Sequence, residues 1–184
     1  MITIPNLLTL LRIVLIPVFV SLLFYQQFGW ALATFVAAGV SDGLDGLIAR
    51  TFNQFSELGK ILDPIADKLL MTAAFVFLSF PFIVAGNNLP IPFWLTAAVI
   101  SRDILIIVVA GAIFMTTSFR GFRPSLWGKI STIVQISAVG LILLAATAPF
   151  FCFYLPVVYF TVFFFTVISG IHYIFFVNRL MKTK

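Results

Sequence analysis

Four aspartates lie close together in a chain that otherwise carries almost no negative charge. The protein has six acidic side chains among 184 residues; five of them fall within residues 42–67, and four of those five are aspartates. They are Asp42, Asp45, Asp63 and Asp67. Apolar sequence flanks this stretch on both sides and is long enough to span a bilayer. Because a charge at the bilayer centre costs about 2.5–3.5 kcal/mol on insertion scales, a cluster of four carboxylates indicates a functional site.

The composition of the whole chain predicts a helical membrane protein. Hydrophobic residues make up 62% of it and charged residues only 9%, which is too little polar surface to cover a soluble domain of this size. Apolar stretches of about twenty residues recur throughout the chain. We therefore expect one all-α membrane domain over residues 1–184, with a short interfacial segment at 1–6 before six transmembrane helices. The expected spans are residues 7–25, 30–50, 56–80, 93–117, 125–146 and 157–177.

The basic residues predict the orientation of these spans. With six spans both termini lie on one side, and the connections on that side contain Arg50, Lys60, Arg120, Arg123, Arg179, Lys182 and Lys184. The three opposite loops contain no Lys or Arg. By the positive-inside rule, both termini and the edge of the acidic stretch face the cytoplasm, in a membrane of the bacterial inner-membrane type. The basic residues lie at helix ends, where they set the membrane topology and can bind anionic phosphate groups. The net charge of +5 therefore does not indicate nucleic acid as a partner.

On the second span the acidic residues share a helix face with residues that have almost no side chain. Asp42, Asp45, Gly46 and Ala49 are spaced i, i+3, i+4 and i+7, which brings them to one side of a helix. Gly46 and Ala49 leave room for a bulky group to approach the backbone. Arg50 follows directly, and its planar guanidinium suits a phosphate.

The third span repeats this arrangement with Gly59, Asp63 and Asp67 at i, i+4 and i+8. A short connection makes the two helices antiparallel neighbours, so the two acidic faces can meet. Four carboxylates held together cannot all stay ionised without compensation. All-oxygen ligation suits Mg²⁺ or Mn²⁺ more than zinc, and a pair of such ions is a common device in phosphoryl chemistry. The single histidine, His172, lies far along the chain, and we interpret it as structural.

A second interpretation is open at this stage. The acids are also able to pair with Arg102 and other basic side chains, or to line a path for cations. In the first case the acids only hold helices together, and in the second the protein is a non-enzymatic cation carrier. Around the start of the first span, Asn6, Thr9 and Arg12 are expected at the cytoplasmic mouth of the site, where Arg12 alternatively serves only to anchor the span.

Residues 42–67 resemble the signature of a known family. They read D-x-x-D-G-x-x-A-R, then eight residues, then G-x-x-x-D-x-x-x-D, from Asp42 to Asp67. This pattern is similar to that of the CDP-alcohol phosphotransferase family, with every fixed position present. The resemblance implies a metal-dependent membrane transferase in which a CDP-linked alcohol, usually CDP-diacylglycerol, gives its phosphoryl-alcohol part to an acceptor hydroxyl and releases CMP. It also implies a homodimer.

The resemblance further implies a role for each residue of the signature. Asp42, Asp45, Asp63 and Asp67 are expected to hold two Mg²⁺ or Mn²⁺ ions. Asp67 is also expected to act as the general base that takes the proton of the acceptor hydroxyl. The residues expected to bind the cytidine diphosphate are Gly46, Ala49, Arg50 and Gly59.

Shorter matches point to two acceptors. IPNLLTLLR at 4–12, ISRD at 100–103 and GKISTIVQ at 128–135 resemble two branches of the family. One branch uses glycerol 3-phosphate, our first choice, and makes phosphatidylglycerophosphate; the other uses phosphatidylglycerol and makes cardiolipin. Both acceptors are anionic, and the candidate side chains for their phosphate groups are Arg102, Lys129, Arg120 and Arg123. Arg102 is equally compatible with a local or interhelical ion pair.

Overall fold

The computed structural model describes residues 4–51, 57–84, 90–116 and 126–182, with most of their side chains, and every regular element in these ranges is helical. The α-helices are α1 (Ile4–Phe24), α2 (Phe28–Thr51), α3 (Glu57–Leu78), α4 (Pro81–Val84), α5 (Phe93–Thr116), α6 (Leu126–Thr147) and α7 (Leu155–Lys182). A short 3-10 helix covers Pro149–Tyr154. The all-α prediction is therefore confirmed for the described residues.

Six of these helices coincide with the six apolar stretches, and the four-residue α4 lies in the loop predicted after the third. The largest differences are at the two ends of the chain. α1 begins at Ile4, inside the segment expected to lie along the interface. Pro5 is compatible with that start because the first turn of a helix leaves its N–H groups unused. α7 continues to Lys182, five residues past the predicted end at 177, because RLMK at 179–182 consists of strong helix formers although it is polar.

Two helices in the part of the chain that the structure describes are long and apolar enough to cross a bilayer, Leu126–Thr147 and Phe150–Phe175. Thr9–Phe24 and Phe28–Ser41 are shorter apolar helices. Large apolar side chains are exposed along all of the long helices, as expected of surfaces that face lipid. The count of six spans and the single domain over residues 1–184 stay predictions.

The described residues of Met1–Pro90 and Val139–Cys152 form one compact unit, in which α1 packs against both α2 and α3. Phe19 of α1 and Phe35 of α2 are buried there, with ring centroids 5.9 Å apart. Small side chains let the helices approach one another closely. The fully buried alanines of α2 and α3 are Ala31, Ala38, Ala66 and Ala74.

α1 ends in a tight turn that reverses the chain into α2. Gln26 has a φ of 57°, in the left-handed region. The amides of Gln26 and Gln27 donate to the carbonyls of Leu23 and Leu22, with N···O distances of 3.0 and 2.9 Å. This is the Schellman pattern, which usually places glycine at the left-handed position. The turn fixes α1 and α2 as a hairpin of adjacent helices.

The described residues of Ile91–Ala138 and Phe153–Lys184 form a second compact unit, in which α5 packs against α7. Trp94 of α5 meets Phe163 of α7 edge to face, with ring centroids 5.2 Å apart. Twelve residues further along α5, the carbonyl of Ile106 accepts a hydrogen bond from the hydroxyl of Tyr173 at 3.4 Å. Because the contacts advance along both helices together, α5 and α7 run parallel.

Candidate active site

Two of the four aspartates of the signature have described side chains, and both lie on the packed side of α3. Asp63 and Asp67 are half-buried and one turn apart. The stripe that they begin continues along α3 at i+7 with Leu70, which is buried. The outward side of the same helix carries Ile65 and Leu69, which are 47% and 49% exposed. The carboxylates are therefore directed toward the neighbouring helices and away from the apolar outer surface.

The first helix reaches this acidic face through a hydroxyl group. The Oγ1 of Thr9 on α1 donates a hydrogen bond to the Oδ1 of Asp63 on α3. Thr9 is completely buried, and α1 packs against α3 along this side. The signature lies wholly on α2 and α3, but the structure adds α1 as a third helix at the site.

Arg12 lies one turn beyond Thr9 on the same face of α1. Only 1% of Arg12 is exposed, so its positive charge is held inside the helix packing. An arginine that only anchored the span would extend its head toward the lipid headgroups. A buried cation needs opposite charge or hydrogen bonds to offset its lost hydration. Its complete burial beside the Thr9 contact therefore favours a place in the site over an anchoring role.

The second span contributes its part of the signature as a continuous helix. Residues 42–50 lie within α2, so their spacing brings Asp42, Asp45, Gly46 and Ala49 to one face, as it does for any helix. The side chains of these residues and of Arg50 lie outside the described part of the structure. The environment of Gly59, near the start of α3, lies outside it too.

No three His, Cys, Asp or Glu side chains come together among those that the structure describes. Two of the four predicted metal ligands, Asp42 and Asp45, are outside that set. The donor set itself fits a hard divalent cation, because carboxylate oxygens are the ligands that Mg²⁺ and Mn²⁺ prefer. The two-ion site stays a prediction.

Arg102, one of the acceptor candidates, is buried in the second unit with partners on two helices. Its Nη1 donates to the Oδ1 of the neighbouring Asp103 at 2.7 Å. Its Nε and Nη2 both donate to the Oγ of Ser169 on α7, at 3.2 and 2.6 Å. The contact thus contains the local ion pair that was one alternative to acceptor binding, together with an interhelical hydrogen bond to a neutral hydroxyl. Acceptor binding by Arg102 stays a prediction.

The other acceptor candidates differ in what the structure describes of them. Lys129 lies in the first turn of α6 and is exposed, so its ammonium group is accessible to a ligand. Arg120 and Arg123 lie outside the described residues. His172, interpreted as structural, has a buried Nδ1 atom that makes no hydrogen bond with the described chain.

Sequence reasoning missed a second set of buried polar contacts in this unit. The amide nitrogen of Gln135 on α6 lies 3.3 Å from the hydroxyl of Thr166 on α7 and 3.4 Å from that of Ser131. Ser169 was missed as well, although it is buried against Arg102. The available signal was weak: isolated Ser, Thr and Gln residues within long apolar runs are typical of interhelical hydrogen bonds in membranes.

Together these features define a class of protein. Its helices are apolar on their outer surfaces, while aspartates, an arginine and hydroxyl groups lie on their packed faces. That is the arrangement of a membrane protein with a polar, carboxylate-bearing site among its helices.

Comparison with known proteins identifies the family within this class. Residues 2–175 match the CDP-alcohol phosphatidyltransferase family model, and the chain belongs to this family of membrane-bound enzymes. The predicted family is thereby confirmed, and with it the predicted class of enzyme. The roles of the individual site residues stay predictions.

Curated relatives carry names from both branches that the sequence resembles. A "Probable phosphatidylglycerophosphate synthase" of Mycobacterium tuberculosis is 37% identical over 153 residues, which cover 78% of this chain and 67% of the relative. A "CDP-diacylglycerol--glycerol-3-phosphate 3-phosphatidyltransferase" of Pseudomonas fluorescens is 37% identical over 159 residues, which cover 82% and 76%. A "Cardiolipin synthase (CMP-forming)" of Streptomyces coelicolor is 35% identical over 152 residues, which cover 78% and 66%. The chain therefore spans about two thirds to three quarters of these relatives.

Proposed function

We propose that the protein transfers the phosphatidyl group of CDP-diacylglycerol to a hydroxyl of glycerol 3-phosphate and releases CMP. The observation that carries this proposal is membership of the CDP-alcohol phosphatidyltransferase family over residues 2–175, together with a complete acidic signature. Relatives named for this reaction match most of the chain. Family membership also favours an enzyme over the cation carrier considered from composition.

The acidic faces of α2 and α3 are the proposed catalytic site. Asp42, Asp45, Asp63 and Asp67 would hold two Mg²⁺ or Mn²⁺ ions, which when bound offset the charge of the diphosphate and of the departing CMP. Asp63 suits this role because Thr9 engages one of its oxygens and leaves the other for a cation. The carboxylates lie on the packed side of α3, where a headgroup can be shielded from lipid.

The chain's own residues then carry the group transfer. Asp67 takes the proton from the acceptor hydroxyl while the acceptor oxygen bonds to the phosphorus of the phosphatidyl group, and the bond from that phosphorus to the CMP oxygen breaks. A positioned general base of this kind contributes about 10²–10⁴-fold to a rate. Gly46, Ala49 and Gly59 leave space for the cytidine diphosphate, and Arg50 orients its phosphates.

The acceptor is proposed to be glycerol 3-phosphate, with its phosphate bound by cationic side chains. Lys129 is the first candidate because it is exposed at the start of α6. Arg102 is the second, because it would have to exchange Ser169 for the phosphate. Arg120 and Arg123 are the further candidates. Phosphatidylglycerol is the alternative acceptor, favoured by the relatives named cardiolipin synthase.

The remaining features of the proposal concern the membrane. We expect six spans, both termini and the acidic site toward the cytoplasm, and a homodimer in a bacterial-type inner membrane. The distribution of Lys and Arg supports the orientation. A reporter fused after Lys184 tests it, and a reporter found outside the cytoplasm would contradict it.

Release of CMP by the purified protein tests the reaction. The protein is supplied with CDP-diacylglycerol and Mg²⁺ or Mn²⁺, and glycerol 3-phosphate and phosphatidylglycerol are offered in separate reactions. We expect CMP release with glycerol 3-phosphate and none after chelation of the metal. Release with phosphatidylglycerol alone would make the protein a cardiolipin synthase. Metal flux into vesicles without any cytidine nucleotide, and no CMP release with either acceptor, would support a carrier instead.

A further inference from the structure

The hydroxyl of Thr9 stands apart from most other helical hydroxyls in the described chain. Several of these donate to a carbonyl four residues back in their own helix, as Thr34 does to Trp30 at 2.9 Å and Thr161 does to Val157 at 2.7 Å. The hydroxyl of Thr9 instead crosses from α1 to α3 and donates to a carboxylate oxygen of Asp63. Thr9 is fully buried, so water does not compete for this bond.

We infer that Thr9 is a positioning residue for the metal ligand Asp63. The inference rests on the proposed function, in which Asp63 holds a divalent cation. An ionised carboxylate has two oxygens that only accept hydrogen bonds. With Oδ1 held by Thr9, the rotation of the Asp63 carboxylate is restricted, and Oδ2 would be the oxygen available to the cation. Partners of this kind orient metal ligands, and their loss typically lowers metal affinity about 10–100-fold.

The helix packing makes Thr9 suited to this role. α1 is tied to α2 by the tight turn at Gln26, and it packs against α3. Its rotation about its own axis is therefore constrained from two sides, and the Thr9 hydroxyl is held where Asp63 requires it. The proposed ligands lie on α2 and α3, and the third helix, α1, thus helps to hold one of them in position.

A purely structural role for the same bond makes a different prediction. Interhelical hydrogen bonds in membrane proteins contribute only modestly to stability. If Thr9 only joined α1 to α3, its loss would lower the unfolding temperature slightly and leave metal affinity unchanged. Metal affinity measured without substrate therefore separates the two roles.

The test is the binding of Mn²⁺ alone to the detergent-purified full chain, followed by the electron paramagnetic resonance signal of free Mn²⁺. Thr9→Val keeps the shape and removes the donor, and we expect about 10–100-fold weaker binding. Thr9→Ser keeps the hydroxyl and should bind close to the original affinity. Thr34→Val is the matched control, because its hydroxyl serves only its own helix. Thr9→Cys retains a weak donor, so we expect its Mn²⁺ affinity to lie between those of Thr9→Ser and Thr9→Val. This variant keeps the test possible if Thr9→Val does not fold.

Asp63→Asn separates failure of this inference from failure of the proposed site. Weaker Mn²⁺ binding in both Asp63→Asn and Thr9→Val supports the positioning role. Weaker binding in Asp63→Asn with unchanged binding in Thr9→Val and Thr9→Cys overturns it and leaves the metal site standing. Unchanged binding in all of them overturns the inference together with the role of Asp63 as a ligand, and CMP release then decides independently whether the reaction itself takes place.

Discussion

Removal of the Ser169 hydroxyl is expected to destabilise the protein through the buried guanidinium of Arg102. Ser169→Ala leaves Nε and Nη2 of Arg102 without the acceptor that they share at 3.2 and 2.6 Å. A hydrogen bond to a charged group contributes about 1.5–3 kcal/mol in soluble proteins. Interhelical bonds in membranes average about 0.6 kcal/mol and reach about 1.7. Asp103 still accepts a hydrogen bond from Nη1. We therefore expect the free energy of unfolding to fall by about 1–2 kcal/mol, a value between the two estimates.

Thermal unfolding in detergent measures this loss. For a chain of this size 1 kcal/mol corresponds to about 2–4 °C, so Ser169→Ala should lower the unfolding temperature by about 2–8 °C. Thr161→Ala is the matched control on the same helix, because the Thr161 hydroxyl is exposed and donates only to the carbonyl of Val157. We expect it to shift the temperature by less than about 2 °C.

A double-mutant cycle shows whether the loss passes through Arg102. In an Arg102→Met background the same Ser169→Ala substitution should cost less than about 0.5 kcal/mol, because the donor is already gone. Equal costs in both backgrounds would refute the contact as the cause. A Ser169→Ala shift no larger than that of Thr161→Ala would refute the interhelical bond itself.

Three further predictions concern other parts of the chain. Asp67→Asn should lower single-turnover CMP release about 10²–10⁴-fold while Mn²⁺ is still partly bound, and near-normal release would remove Asp67 as the base. Gln26→Gly should raise the unfolding temperature by about 1–4 °C, because glycine adopts the left-handed turn without strain, and a fall would contradict that reading of φ. Lys129→Gln should raise the KM for glycerol 3-phosphate about tenfold with little change for CDP-diacylglycerol, since a charge-assisted contact to phosphate is lost; equal changes in both would point to a structural role.

The positions of the helices follow from the sequence because each depends on a local signal. Apolar runs of about twenty residues separated by Gly, Asn, Pro or basic residues predicted six long helices, and the structure places a helix at each. The end of α7 was placed too early because hydropathy falls at 178 although the helix propensity of RLMK does not. Hydropathy reports the solvent that a segment prefers and does not report where its backbone hydrogen bonds stop.

The partners of the buried polar residues do not follow from local signals. Thr9 and Asp63 are 54 positions apart in sequence, and their contact depends on how α1 is rotated against α3. Arg102 showed the same limit: its neighbour Asp103 was visible as a local partner, but Ser169 on another helix was not. Helical periodicity shows which residues share a face of a helix. Which other helix that face contacts depends on the packing of the whole unit.

With α7 as a membrane span, as proposed, the aromatic residues that precede it bear on the depth of the buried arginine. Phe153 and Tyr154 are exposed just before α7, and tyrosine is enriched at the boundary between headgroups and hydrocarbon. Ser169 follows about 24 Å further along at 1.5 Å per residue. If α7 crosses a hydrocarbon core about 30 Å thick, as proposed, the guanidinium of Arg102 would lie in the half of the core farther from Tyr154. In that arrangement, lipids with shorter acyl chains would bring this charge closer to water and longer ones would draw it inward, so we expect the stability of the Arg102 contact to depend on membrane thickness.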